Sequence, residues 1–226
     1  MKKTELIQEI REAAIIAIIR GVEHEKLPPL LDALAAGGIR FAEITFDQTG
    51  RISDEETAQS IAALKKHMTG RMHIGAGTVM TVGQADRAMT AGAEFLISPN
   101  VNPEVIRHTV AAGCVSIPGA MTPTEAAVAY ESGADFVKLF PADTLGLSYI
   151  KALMAPLSHI PFLAVGGVND RNLGDFLATG LAGVGVGSAL TPIEWIANES
   201  YQQITEHANR YCNVVQNHRN YFGKRA

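Results

Sequence analysis

Short apolar runs alternate with stretches of helical periodicity along almost the whole chain, and this beat limits the folds open to it more than any other feature. The runs lie at 14–19, 41–46, 74–79, 95–98, 114–117, 135–140, 162–165 and 182–186, each roughly 20 to 30 residues from the next. Between them the spacing turns helical, as with Leu27, Leu30, Leu31 and Leu34, entered through Pro28 and Pro29 and closed by Gly37 and Gly38. Strands of this kind, apolar on both faces, belong to a parallel sheet covered by helices. Each helical stretch is then one right-handed crossover. Eight such units close into an α/β barrel, and 226 residues suit a (β/α)8 TIM barrel. A doubly wound sheet of eight strands is the structural alternative. A helix over Lys3–Ala13 leads into the first strand, a helical segment containing Trp195 occupies 192–217, and 220–226 reads as a frayed tail. With no linker or shift of composition, residues 1–226 are expected to form one domain.

Charge and cysteine usage remove several classes of function. The 19 basic and 23 acidic residues are interspersed along the chain, for a net charge of -4, so no block of like charge offers a surface to nucleic acid or an anionic membrane. Cys114 and Cys212 lie far apart without ligand spacing, which points to free thiols in a reducing compartment. The charged start of the chain lacks a signal-peptide apolar core, and no run approaches a membrane span. These features describe a soluble, cytoplasmic protein. The seven histidines are scattered and read as solvated surface groups, so no metal site is expected.

One residue breaks the apolar logic. Lys138 stands in the middle of Asp135-Phe136-Val137-Lys138-Leu139-Phe140-Pro141, a run that should be buried on both faces. An unpaired ammonium there costs several kcal/mol, on the order of a buried charge without a partner. Desolvation lowers a lysine's pKa, and the neutral amine that results is a nucleophile for carbonyl carbon. The structural alternatives are an ion pair with a buried carboxylate or a side chain that snorkels from a strand end. Barrels place chemistry at the C-terminal ends of strands, where this chain offers Arg20, Glu43, Thr45, Thr78, Ser98, Lys138 and Ser188. Glu43 interrupts the second run, and if it points inward it shares a cavity with Lys138 and can shuttle protons. Otherwise it is a core carboxylate neutralised by Arg20 or Lys138.

Two late glycine clusters suggest a second subsite. Gly166 and Gly167 follow the seventh run, and Gly187 with Ser188 follows the eighth, the two loops where barrels commonly bind phosphate through backbone N–H groups. The Gly75-Ala76-Gly77-Thr78 stretch lacks the third glycine and the acidic residue of a dinucleotide fingerprint.

Several stretches, taken in order from about residue 10 to 190, resemble the 2-keto-3-deoxy-6-phosphogluconate (KDPG) and 4-hydroxy-2-oxoglutarate (KHG) aldolases. They are Ala17-Ile18-Ile19-Arg20-Gly21, Glu43-Ile44-Thr45-Phe46, Gly75-Ala76-Gly77-Thr78-Val79, Ile97-Ser98-Pro99, Ile117-Pro118-Gly119, Val137-Lys138-Leu139-Phe140-Pro141, Val165-Gly166-Gly167-Val168 and Gly185-Val186-Gly187-Ser188-Ala189. The resemblance implies a class I aldolase on an α/β barrel, usually a homotrimer. Such an enzyme needs no cofactor beyond a covalent imine, and it cleaves a 2-keto-3-deoxy-6-phospho sugar acid to pyruvate and glyceraldehyde 3-phosphate. By the same resemblance Lys138 is the Schiff-base lysine, Glu43 the proton shuttle, and Arg20 and Thr78 the surroundings of the pyruvate carboxylate. Gly166, Gly167, Gly187 and Ser188 become the phosphate site. Two positions depart from the phosphogluconate pattern: Val165 replaces a threonine, and Asp47 stands where some relatives carry arginine. Val165 and Ser98-Pro99-Asn100 resemble the phosphogalactonate branch, while Asp47 is expected to repel a substrate carboxylate. Two other readings compete with the imine: a phosphate-binding isomerase or epimerase with Glu43 as base, and a sugar-phosphate-binding barrel without catalysis.

Overall fold

A computed structural model describes residues 2–222. The strands are β1 (Ile15–Ile19), β2 (Phe41–Thr45), β3 (His73–Gly77), β4 (Phe95–Ile97), β5 (Val115–Ile117), β6 (Gly119–Ala120), β7 (Val137–Leu139), β8 (Phe162–Val165) and β9 (Gly183–Val186). All pair in parallel in one sheet, in the order β5-β4-β3-β2-β1-β9-β8-β7-β6. The sheet curls into a nearly closed barrel with helices around it. Nine strands rather than eight arise because Pro118, which has no N–H to donate, splits the fifth stave. Below the proline, β5 pairs with β4; above it, β6 pairs with β7. The ring is therefore joined across the break by the chain itself and by a bond from the Lys138 N–H to the Pro118 carbonyl at 2.8 Å.

The helices follow the expected beat, with altered edges. Lys3–Ala13 forms α1, whose end is set by Ala14 in the left-handed conformation (φ 57°). Leu27–Ala36 forms α2, and α3 (Asp54–His67) starts from a Ser53–Glu56 capping box. Next come α4 (Val82–Thr90), α5 (Pro103–Ala111), α6 (Pro123–Glu131) and α7 (Ala142–Met154), the last interrupted at Gly146. The eighth helix, α8, is only Leu173–Leu177. The C-terminal helical segment divides into α9 (Ile193–Ala197) and α10 (Tyr201–Phe222). Helix continues through 220–222, where fraying was expected, because α10 is docked on α2 and α8 through Ile204, Ala208, Tyr211 and Val215. Residues 223–226 lie outside the described part of the chain. Among the described residues no helix is long and apolar enough to cross a membrane.

Two apolar clusters order the barrel. The larger joins the outer faces of the strands to the helices. The smaller fills the lumen: Ile16, Phe41, Phe95, Ile97, Val115, Ile117, Phe136 and Leu163 meet there with Leu6 and Ile10 of α1, which lies across the N-terminal end as a plug. Because strand side chains alternate in direction, a residue two places beyond a lumen residue points into the lumen one layer higher. Phe41 and Phe136 thus carry Glu43 and Lys138 into the same interior space.

Candidate active site

That layer explains why two charged groups are buried in an apolar barrel. Glu43 is 1% exposed and Lys138 5% exposed. Glu43 faces β3 at a place made for it: a Cβ on Gly77 would lie 2.6 Å from its carboxyl carbon. One of its oxygens, Oε2, is buried without a hydrogen-bond partner. Burial raises the Glu43 carboxyl to about 7, although the cations of Lys138 and Arg20 oppose the rise. For Lys138, burial lowers the pKa first, Glu43 opposes that, and Arg20 adds to the lowering. Among the described residues neither group forms an ion pair, so the alternative of a neutralised structural pair does not describe them. A carboxyl poised near neutrality beside a lysine with a depressed pKa can exchange protons in either direction.

Above the pair opens a cavity of about 750 Å³ at the C-terminal ends of β1, β7, β8 and β9. Six of the eight residues singled out in the sequence have a direct place in or beneath it: Lys138, Arg20, Gly166, Gly167, Gly187 and Ser188 line it. Arg20 is exposed there and, among the described residues, pairs with no carboxylate, which leaves its guanidinium available to an anion. Gly166 and Gly167 take φ values of 94° and 75° that a side chain would resist, and a Cβ on Gly167 would lie 2.1 Å from that of Asp143. The Gly167 carbonyl is tied back by the amides of Asn172 (2.9 Å) and Asn169 (3.3 Å). Glu43, in the layer beneath, does not line the cavity wall.

Thr78 is not among the lining residues. It sits just past β3 with φ 57°, a conformation costly for a β-branched residue. Neighbours hold that turn. The Val79 N–H donates to Ile97 O (3.1 Å), Ser98 Oγ donates to Val79 O (2.6 Å), and the Met80 N–H donates to the Gln84 side chain (2.8 Å). Ser98, a strand-end candidate, is thus engaged in supporting the loop.

Of the two departures, Val165 lines the cavity and Asp47 does not. The Asp47 carboxylate accepts N–H bonds from Thr49 (2.9 Å), Arg51 (2.8 Å) and Ile52 (3.1 Å) together with the Thr49 hydroxyl, and these hold its pKa down at about 2. It organises its own loop instead of confronting a ligand. The reading of all histidines as solvated also fails. His207 is buried with its Nε2 on Ala189 O, and His73 is mostly buried between Glu9 and Glu94. Burial of polar rings depends on which helices meet, and composition carries no signal of that.

Of the cavity residues not singled out, four carry polar or aromatic side chains. The Phe140 ring lies 4.8 Å from Lys138 Nζ and flanks Gly166; its period-two spacing from Lys138 marked it as a lumen residue. Asn169, Thr191 and Glu194 also line the wall. Only Asn169, an Asx residue after a glycine pair, carried a local cue.

The comparisons agree with this geometry. The KDPG and KHG aldolase family matches residues 6–207. A probable 2-dehydro-3-deoxy-6-phosphogalactonate aldolase of Rhizobium meliloti (strain 1021) is 39% identical over 180 residues, 79% of this chain and 82% of that one. The 2-dehydro-3-deoxy-phosphogluconate aldolase of Treponema pallidum (strain Nichols) is 33% identical over 211 residues, 93% and 97% of the two chains. Among solved structures, the KDPG aldolase of Legionella pneumophila superposes with a TM-score of 0.78 at 32% identity, covering 87% of this chain and 92% of its own; pyruvate is captured there as a covalent carbinolamine. The chain belongs to the KDPG and KHG aldolase family and is a carbon–carbon lyase.

Proposed function

We propose that the protein is a class I aldolase in which Lys138 forms an imine with the 2-keto group of a 2-keto-3-deoxy-6-phospho sugar acid. The observation that carries this reading is the buried Lys138, free of any ion pair among the described residues, in the same layer as a carboxyl with an unpartnered oxygen. The neutral amine attacks C2, and the carbinolamine loses its hydroxyl as water once Glu43 has supplied a proton. With the imine protonated, Glu43 accepts the proton of the C4 hydroxyl. The C3–C4 bond then breaks, its electron pair moves into the iminium, and the aldehyde, glyceraldehyde 3-phosphate, departs. The enamine takes its proton back at C3, and water releases pyruvate from the lysine. No cofactor beyond this covalent link enters the cycle.

Arg20 suits the substrate carboxylate, and Thr78, held in its strained turn past β3, is assigned to the same end by the family resemblance alone. The N–H groups around Gly166, Gly167, Gly187 and Ser188 suit the phosphate. Val165 on the cavity wall favours the phosphogalactonate type over the phosphogluconate type. We also place three copies around a common axis. Support comes from exposed Met121 and Tyr149, which meet where the Tyr149 hydroxyl donates to Met121 O and which a solvated monomer has little reason to keep uncovered. The two free thiols suit the cytoplasm.

Borohydride reduction in the presence of pyruvate, followed by peptide mapping, tests the mechanism. An adduct on Lys138 is expected, and one on any other residue, or none, rejects it. Pyruvate release from the phosphogalactonate and phosphogluconate substrates, assayed in parallel, decides the substrate.

A further inference from the structure

The two glycine loops belong to different strands, and neither is regular structure, so something must fix the distance between them. Ala189 follows the second loop directly, and its carbonyl accepts two bonds from α10: His207 Nε2 at 2.8 Å and Tyr211 OH at 3.2 Å. The Gly187 carbonyl is occupied on the same side by the Leu190 N–H (2.8 Å), the Thr191 N–H (3.1 Å) and the Thr191 hydroxyl (3.4 Å). Both carbonyls flanking Ser188 are therefore turned into the protein. Among the described residues the N–H groups of Ser188 and Ala189 have no acceptor.

Tyr211 reaches the first loop as well. The backbone of Asp170, three residues beyond Gly167, faces the same Tyr211 hydroxyl. Arg210, the residue beside Tyr211, extends toward the Asp170 carboxylate, with 4.0 Å between Nε and Oδ2. Its guanidinium also meets His207 Nδ1. A guanidinium only donates, so Nδ1 accepts and the ring proton stays on Nε2, the atom that bonds Ala189. Trp195 and Tyr211 hold the imidazole edge-on at 5.3 and 5.1 Å. Tyr211 is wholly buried and is the largest side chain among the described residues to be so. An apolar contact would have fixed α10 as firmly; a hydroxyl placed between two ligand loops has a narrower use.

We infer that Tyr211 and His207 are positioning residues for the phosphate end of the cavity, a strut on the C-terminal helix that sets the spacing of the two glycine loops and keeps their N–H groups aimed at the ligand. This rests on the phosphate reading given above. Neither side chain touches substrate.

Tyr211→Phe removes only the hydroxyl. In the condensation direction, pyruvate is offered with glyceraldehyde 3-phosphate or with unphosphorylated glyceraldehyde. The KM for the phosphorylated acceptor is expected to rise about five- to tenfold, the scale of one lost hydrogen bond. kcat, the parameters for glyceraldehyde, and borohydride trapping of pyruvate on Lys138 should stay within about twofold. His207→Leu should reproduce the shift, whereas His207→Gln, whose amide still donates, should keep it small. A merely structural role would lower both acceptors together or only the melting temperature. Equal losses on the two acceptors, an unchanged KM, or His207→Gln behaving as His207→Leu would overturn the inference. If the unaltered protein showed no preference for the phosphorylated acceptor, the phosphate reading itself would fail, before any variant was made.

Discussion

Adding one methyl group at Gly77 should disable the enzyme while leaving its fold in place. A Cβ at this position would stand 2.6 Å from the Glu43 carboxyl carbon, 2.6 Å from Oε1 and 2.8 Å from Oε2. Ordinary carbon contact begins near 3.5 Å, so the carboxyl group must retreat by roughly 1 Å. The backbone itself poses no obstacle, since Gly77 lies within β3 and its φ is not positive. Overpacking of this kind costs about 1–3 kcal/mol, which a domain with ordinary stability survives. Catalysis is less tolerant: a 1 Å misplacement of a catalytic group costs on the order of a hundredfold, or roughly 2.7 kcal/mol in the barrier. Gly77→Ala is therefore expected to lower kcat about a hundredfold. Pyruvate release coupled to NADH oxidation measures the rate, and circular dichroism with thermal melting checks the fold. The borohydride adduct on Lys138 should still form with pyruvate, more slowly. A variant that melts normally and keeps kcat within about twofold would show that the position of the Glu43 carboxyl does not govern the reaction.

The other predictions concern single groups. Between 4.5, the ordinary value, and about 7, folded Glu43 holds a proton that the unfolded chain has released, so stability must fall as pH rises through that window. Glu43→Gln removes this dependence. Urea unfolding should find the variant more stable than the parent near pH 8, by up to about 3 kcal/mol, with the gain shrinking near pH 5; cleavage is lost in the same variant. Gly167→Ala must displace Asp143 and strain a φ of 75°, so KM for phosphorylated substrates should rise about tenfold or more while trapping of pyruvate persists. Asp47→Ala should speed hydrogen exchange at the Thr49, Arg51 and Ile52 N–H groups without reducing the Lys138 adduct, because its carboxylate serves the loop alone.

The strand–helix alternation, the barrel and the two buried charges were all readable in the chain, because each is a local pattern: period two, period 3.6, or a polar residue in an apolar run. Four features were not readable, and all but the Asp47 loop depend on contacts distant in sequence. Pro118 splits the fifth stave for want of an N–H, and beyond it Gly119 passes so close to Pro99 that an added Cβ would lie 2.5 Å from that residue's carbonyl oxygen. The role of Asp47 follows from a loop closing back on its own side chain. His207 looked like a surface residue since a helical stretch shows which positions share a face, not which loop that face will meet. The left-handed turn at Thr78 likewise comes from pairing with β4 and from Gln84, neither of which propensity encodes.

The plug formed by α1 has a kinetic consequence. With Leu6 and Ile10 sealing the lumen below, traffic runs through the mouth alone, past the glycine loops to Lys138. Under the proposed chemistry the phosphorylated fragment lies nearer the door than the three-carbon fragment bonded to the lysine. Departure is then ordered: the aldehyde leaves first, pyruvate second. In reverse, pyruvate must bind before its acceptor, and an excess of the aldehyde phosphate should obstruct it, so substrate inhibition becomes a property of the architecture.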